Sequence, residues 1–241
     1  MNNNSNSAAS RYWAVVPAAG VGKRMGSNIP KQYLELHGRT VIEHTLGRLC
    51  AHPNIEAVVV ALGDHDEYWQ QLAPANADKL LRTDGGEERC HSVHNGLLKL
   101  ADQAHDDDWV LVHDAARPCL HRKDIDRLIE TLANHPVGGL LGVPVADTMK
   151  RTAANGEVID TVSRDNLWRA MTPQMFRYGV LKQALADALD DGFMVTDEAS
   201  AIEHAGHKPL MVECRADNIK ITRPEDLALA EMYLARQEEE A

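Results

Sequence analysis

Residues 17–31, Pro-Ala-Ala-Gly-Val-Gly-Lys-Arg-Met-Gly-Ser-Asn-Ile-Pro-Lys, follow a short apolar run from Tyr12 to Val16. Gly20, Gly22 and Gly26 let the backbone turn and let a ligand approach main-chain N–H groups closely. Lys23, Arg24 and Lys31 add three long cations to the same stretch. N–H groups combined with positive charge suit a polyphosphate better than a neutral ligand. Two better-known phosphate loops do not fit. A dinucleotide loop needs G-x-G-x-x-G, and here the third glycine, Gly26, comes one position late. A Walker loop needs Ser or Thr after its lysine, and Arg24 follows Lys23.

The balance of the chain makes this cationic stretch notable. The formal net charge is −11, so a phosphate site has to be built locally against an acidic background. The same charge argues against a nucleic-acid surface, which is normally basic. Cys50, Cys90, Cys119 and Cys214 are scattered without a C-x-x-C, and read as free thiols they suit a reducing cytoplasm. Residues 1–10 are rich in Asn and Ser and are expected to be a disordered tail rather than a signal peptide. No run approaches 18 apolar residues, so no membrane span is expected.

The elements that must position the loop alternate in a strand–helix rhythm. Strands are expected at Tyr12–Val16, Ala57–Leu62, Lys79–Thr83, Trp109–His113 and Gly138–Val145. Helices are expected at Val41–Cys50, near Asp64–Leu72, at Glu87–Gln103 and at Asp124–Asn134. This rhythm predicts a single α/β domain over 11–237, a Rossmann-like, mostly parallel twisted sheet with helices on both faces. Ligands on such sheets lie beyond the carboxyl ends of the strands. The loops at 17–31, 84–92 and 114–118 all follow strands and should face the same side.

The rhythm breaks after 146. Thr148–Arg151 and Val158–Val162 read as two short strands around Asn155-Gly156, a hairpin signal. The arm, spanning about 147–166, has little core of its own, so a second subunit is the expected support. Helices follow at 177–190 and 196–205, with short strands at Leu210–Glu213 and Ile219–Ile221. Thr222-Arg223-Pro224-Glu225 reads as a capping box opening the last helix. The acidic end, 238–241, is expected to fray. Cys90, His91 and His94 lie close together but lack a second ligand pair at zinc spacing, so no protein metal site is assigned.

These segments carry a resemblance. Ala18-Ala19-Gly20-x-Gly22-x-Arg24 with Pro30-Lys31-Gln32 is similar to the sugar-phosphate nucleotidyltransferases. Asp84-Gly85-Gly86-x-x-Arg89-x-x-Ser92, His113-Asp114-Ala115-Ala116-Arg117-Pro118, Asp147-Thr148, Thr172-Pro173-Gln174, Thr196-Asp197-Glu198 and Asn218-Ile219-Lys220 narrow it. Together they resemble the 2-C-methyl-D-erythritol 4-phosphate cytidylyltransferases of non-mevalonate isoprenoid biosynthesis, over nearly the whole chain. The resemblance implies transfer of a cytidylyl group from CTP to a polyol phosphate with release of pyrophosphate. It implies Arg24, Lys31, Arg164 and Lys220 as catalytic cations. Pro17, Ala18, Ala19, Gly20, Gly22, Gly86, Glu87 and Ser92 would hold CTP, with Asp114 and Ala115 at its ribose and metal-bound phosphates. Glu87 stands where the family commonly has Asp. Arg117, Thr148, Thr172 and Thr196 would hold the second substrate, together with Arg164 and Lys220. Mg²⁺ is implied, bound mainly through the CTP phosphates, and so is a homodimer whose arms cross to complete each other's sites.

The chemistry is consistent with that implication. A phosphate monoester has its second pKa near 6, so it is mostly a dianion at pH 7 and needs no base to attack. The obstacle is repulsion between two anions, which positioning and positive charge relieve. The rivals are a related polyol-phosphate cytidylyltransferase with another alcohol such as ribitol 5-phosphate, a nicotinamide-dependent dehydrogenase, and a non-catalytic nucleotide-binding relative.

Overall fold

A computed structural model describes residues 10–20 and 29–240. In chain order the elements are β1 (Tyr12–Pro17), β2 (Glu35–Leu36), β3 (Arg39–Thr40), α1 (Val41–Cys50), β4 (Ile55–Leu62), β5 (Leu80–Asp84), α2 (Arg89–Lys99) and β6 (Trp109–Val112). There follow α3 (Arg122–Leu132), β7 (Gly138–Pro144), β8 (Met149–Thr152), β9 (Val158–Val162), β10 (Trp168–Arg177), α4 (Tyr178–Asp190), α5 (Glu198–His204), β11 (Leu210–Glu213) and α6 (Glu225–Glu239).

The central sheet runs β11-β7-β10-β6-β1-β4-β5. β1 pairs in parallel with β4 and β6, β4 with β5, and β7 with β11. β10 is antiparallel to both of its neighbours, β6 and β7. Successive residues of β1 serve opposite layers, as the period of two in a strand requires. Ala14 and Val16 pack with Ile42, Leu46 and Leu49 of α1 and Ile125 and Leu128 of α3. Trp13 and Val15 pack with Val93 and Leu97 of α2, Leu181 and Leu185 of α4, and Ile202 of α5. Val58, Val59 and Val60 of β4 are all fully buried, which is why that strand reads as an unbroken β-branched run. Burying each such side chain contributes about 1.5–3 kcal/mol.

The expected α/β architecture is present, with four local corrections. β10 lies in the middle of the sheet, and no strand was expected there. Its pairing with β7 is interrupted between Ala170 and Gln174, around Pro173, which has no N–H for a ladder. Over Asp64–Leu72 there is one turn of 3₁₀ helix at Trp69–Gln71 rather than a helix. Ile219–Ile221 forms no strand; one backbone bond, Ile221 N to Ala116 O at 2.8 Å, ties it beside the 114–118 loop. The acid that caps α6 is Asp226, not Glu225: its Oδ2 accepts from Thr222 N, Thr222 Oγ1 and Arg223 N at 2.8, 2.8 and 2.9 Å.

α6 continues to Glu239, and Glu240 pairs with Arg215 and Arg236. Residues 1–9 of the tail expected at 1–10, together with Gly22, Lys23, Arg24 and Gly26, lie outside the described residues.

β8 and β9 form a two-stranded hairpin separate from the main sheet. Ala153 and Glu157 close it, and Gly156 adopts φ +87° in its turn, a conformation favoured by glycine. Met149, Val158 and Ile159 are exposed on it.

Candidate active site

The three strand-following loops do converge. Pro17, Ala18, Ala19 and Gly20 line a cleft with Lys31, Gln32, Gly86, Glu87, Glu88, Arg89, Ser92, Asp114, Ala115, Ala116 and Lys220. A second cleft shares Arg89, Asp114 and Lys220 with the first and continues past Arg117, Thr172, Gln174 and Thr196. The shared residues form the wall between the two spaces.

The first cleft is shaped by close approach. Gln32 is buried and its Nε2 donates to Ala18 O at 2.7 Å and Gly20 O at 3.0 Å, which holds the start of the glycine-laced loop in place. A Cβ at Gly85 would stand 2.3 Å from Ala19 Cβ and 3.0 Å from Leu62 O. Gly85 is therefore a packing requirement between the loops after β1 and β5. Ser92 braces the same turn: its Oγ accepts from Gly86 N at 3.0 Å and donates to Glu88 O at 3.3 Å. Thr45 Oγ1 donates to Ala115 O at 2.9 Å and so fastens the third loop to α1.

At the junction of the clefts Asp114 accepts from three cations. Arg89 Nε lies 3.0 Å from Oδ1, Lys220 Nζ 2.8 Å from Oδ2 and Arg117 Nε 3.4 Å from Oδ2. Burial alone would raise the Asp114 pKa, but Arg89, Lys220 and Arg117 together hold it far below the usual carboxylate range. Asp114 is thus an anchor for cations. Arg89 is itself held from behind by Glu198, whose two oxygens accept from Nη1 at 2.6 Å and Nη2 at 3.0 Å and which is wholly buried. Such bidentate geometry is characteristic of strong guanidinium–carboxylate pairs. Three cations against two carboxylates leave one positive charge in excess. Lys31 brings another cation to the first cleft and donates from Nζ to Ile221 O at 2.9 Å, one residue beyond Lys220.

The sequence-predicted residues fall into groups. Pro17, Ala18, Ala19, Gly20, Lys31, Gly86, Glu87, Ser92, Asp114, Ala115 and Lys220 line the first cleft. Arg117, Thr172 and Thr196 line the second. Gly22 and Arg24 lie outside the described residues. Thr148 and Arg164 are exposed and belong to neither cleft of the chain; Arg164 Nη1 donates to Ala146 O.

Four residues with no role assigned from sequence turn out to shape the site: Gln32, Arg89, Glu198 and His113. All four sit inside the short segments singled out above, and position in a segment was the available signal. Of the Cys90, His91 and His94 group, Cys90 and His91 come together with Glu88. His91 Nδ1 accepts the Glu88 N–H at 3.3 Å and serves the start of α2.

Comparisons with known proteins give the chain's relatives. The family model described as 2-C-methyl-D-erythritol 4-phosphate cytidylyltransferase matches residues 12–236. A protein of that name from Pseudomonas fluorescens (strain Pf0-1) is 57% identical over 217 residues, covering 90% of this chain and 92% of its own. One from Hahella chejuensis is 55% identical over 232 residues, covering 95% and 96%. The crystal structure of the Francisella tularensis 2-C-methyl-D-erythritol 4-phosphate cytidylyltransferase superposes with a TM-score of 0.81 at 38% identity, covering 93% of this chain and 100% of that one.

Proposed function

Since the chain belongs to the 2-C-methyl-D-erythritol 4-phosphate cytidylyltransferase family, we propose that its two clefts hold CTP and the polyol phosphate on either side of the Arg89–Asp114–Lys220 wall. The enzyme transfers the cytidylyl group of CTP to 2-C-methyl-D-erythritol 4-phosphate, giving 4-diphosphocytidyl-2-C-methyl-D-erythritol and pyrophosphate. The observation that carries the placement is the sharing of one cationic wall by two adjacent clefts, which a reaction between two anions requires.

The first cleft has a volume of about 190 Å³. That is below the roughly 300–1,000 Å³ of sites that enclose a whole drug-sized ligand. It therefore seats the cytosine and ribose against Pro17–Ala19, Gly86 and Ser92, and the triphosphate runs out toward Lys31 and Lys220. A phosphate oxygen of the polyol attacks the α-phosphorus while the bond to the β-phosphate breaks, and pyrophosphate leaves with the bonding electrons. Lys31, Lys220 and Arg24 neutralise the charge that builds on the α-phosphate and the leaving group. Arg117 and Thr196 line the second cleft and orient the incoming phosphate.

Asp114 fits the expected Mg²⁺. An ionised carboxylate offers about four lone-pair sites, and three are taken by the cations described above. One remains, and Mg²⁺ bound to phosphates usually uses one or two protein carboxylates. Asp114 would hold the ion there, and the ion would supply positive charge to the CTP phosphates.

The exposed hairpin, with Met149, Val158 and Ile159 uncovered, supports a homodimer joined through these arms. Thr148 and Arg164, which reach neither cleft of their own chain, would then serve the partner's second cleft. Four free, buried cysteines suit a reducing cytoplasm, and among the described residues no helix is long and apolar enough to cross a membrane.

Pyrophosphate release is measured with CTP, Mg²⁺ and either 2-C-methyl-D-erythritol 4-phosphate or ribitol 5-phosphate. Release with the first alone supports the reading; release only with the second makes the chain a cytidylyltransferase for another alcohol.

A further inference from the structure

Thr172 lines the second cleft, where its hydroxyl would ordinarily be read as a donor to the incoming phosphate. Its hydrogen bonds point elsewhere. Thr172 Oγ1 accepts from Asp114 N at 3.1 Å and lies 2.9 Å from His113 Nδ1. The other ring nitrogen, His113 Nε2, lies 3.1 Å from Arg117 O. A carbonyl can only accept, so Nε2 carries the hydrogen. His113 is 0% exposed and its two ring nitrogens face a carbonyl and a hydroxyl with no carboxylate on either, so the ring is neutral and Nδ1 accepts. The group placed to donate to Nδ1 is the Thr172 hydroxyl. Its proton faces inward, away from the cleft.

The bonds close into a ring. Thr172 donates to His113, His113 donates to Arg117 O, Arg117 Nη1 donates to Asn218 O at 2.8 Å, and Asn218 Nδ2 donates to Thr172 O at 2.7 Å. All four residues are buried. The ring joins the end of β6, the middle of β10 and the segment that carries Lys220, three parts of the chain far apart in sequence. The Asp114 N–H is fastened directly to it.

We propose that Thr172 and His113 act together as positioning residues: the Thr172 hydroxyl, oriented by His113, fixes the Asp114 main chain and with it the carboxylate that gathers the cations, so its proton is not donated to the incoming phosphate. The inference rests on the cytidylyltransferase reading for its kinetics and on the geometry alone for its hydrogen bonds, so two measurements separate them.

In the first, the ¹⁵N shifts of histidine-labelled full-length protein are recorded at pH 7 without substrates. His113 is expected as the neutral Nε2–H tautomer, with its Nδ1 signal moved in Thr172→Val. An Nδ1–H tautomer, or an unmoved signal, overturns the proposal whatever the enzyme's substrate. In the second, pyrophosphate release is measured for Thr172→Val, His113→Asn and the double variant. Small displacements of catalytic groups can cost about 10²-fold in rate. Thr172→Val is therefore expected to lower kcat about 10- to 100-fold, with KM for the polyol phosphate within about threefold of wild type. The double variant should be no worse than the worse single one, because both changes break the same ring. Thr172→Ser, which restores the hydroxyl, should recover most of the lost rate. A tenfold or larger rise in that KM with kcat retained, or effects of the two changes that multiply, would show a direct phosphate ligand instead. If Thr172→Val does not fold, His113→Asn carries the same KM-against-kcat comparison.

Discussion

Replacing Lys220 by Met separates charge from folding. The Lys220 side chain is 38% exposed and its Nζ lies 2.8 Å from Asp114 Oδ2. An ion pair that open to solvent contributes about 1 kcal/mol or less to stability. Asp114 keeps Arg89 and Arg117 as partners, and methionine keeps most of the apolar stem. For a chain of this size about 1 kcal/mol corresponds to a melting shift of about 2–4 °C. The rate should respond far more strongly. A preorganised charged donor aimed at charge that develops in the transition state is worth about 10²–10³ in kcat. The variant should therefore melt within a few degrees of wild type and release pyrophosphate at least a hundredfold more slowly at saturating CTP and polyol phosphate. A rate within tenfold of wild type would refute the view that cations at the shared wall carry the catalysis. A melting point lowered by more than about 10 °C would show that Lys220 is mainly structural.

Glu198→Gln should behave in the opposite sense. It leaves Arg89 in a mostly buried position with Asp114 as its remaining carboxylate, and breaking a buried ion pair costs about 3–5 kcal/mol. Arg89 is 29% exposed, so the lower figure is expected, read as a loss of denaturant midpoint; an unchanged midpoint would contradict the clamp. Deleting residues 150–160 should give a monomer by sedimentation with little activity, and an active monomer would contradict a site completed by the partner's arm. Stability should fall on mild acidification. Burial holds His113 near 4 when folded, against about 6.5 when unfolded. Between those values the unfolded chain binds the extra proton, so lowering the pH favours unfolding, by about 3 kcal/mol over the whole window. Melting at pH 7 and pH 5 tests this; the drop should shrink in His113→Asn, and equal melting points at the two pH values would contradict it.

Much of the architecture was legible because it is written locally. Val58 to Val60 announce a strand buried on both faces. The convergence of three loops followed from a parallel sheet, without any knowledge of contacts. β10 was not legible, because Pro173 interrupts the one run that would have shown it and because an antiparallel strand in the middle breaks the strand–helix rhythm. Site residues whose partners lie far along the chain were equally hidden. Arg89 meets Glu198 across 109 residues, and Asn218 meets Thr172 across 46, separations over which no periodicity operates. Thr172 shows a further limit. Its residue type suggests a phosphate donor, and only the tautomer forced on His113 by a carbonyl turns the hydroxyl inward.

The central claim is that two mutually repelling phosphates meet across the Arg89–Asp114–Lys220 wall. A crystal structure with CTP and Mg²⁺ tests it most directly. The base should lie against Pro17–Ala19 and Gly86, with the triphosphate between Lys31 and Lys220 and the α-phosphorus facing the cleft of Arg117 and Thr196. A triphosphate bound away from that wall, with Lys220 still held on Asp114 and no phosphate near it, would contradict the account.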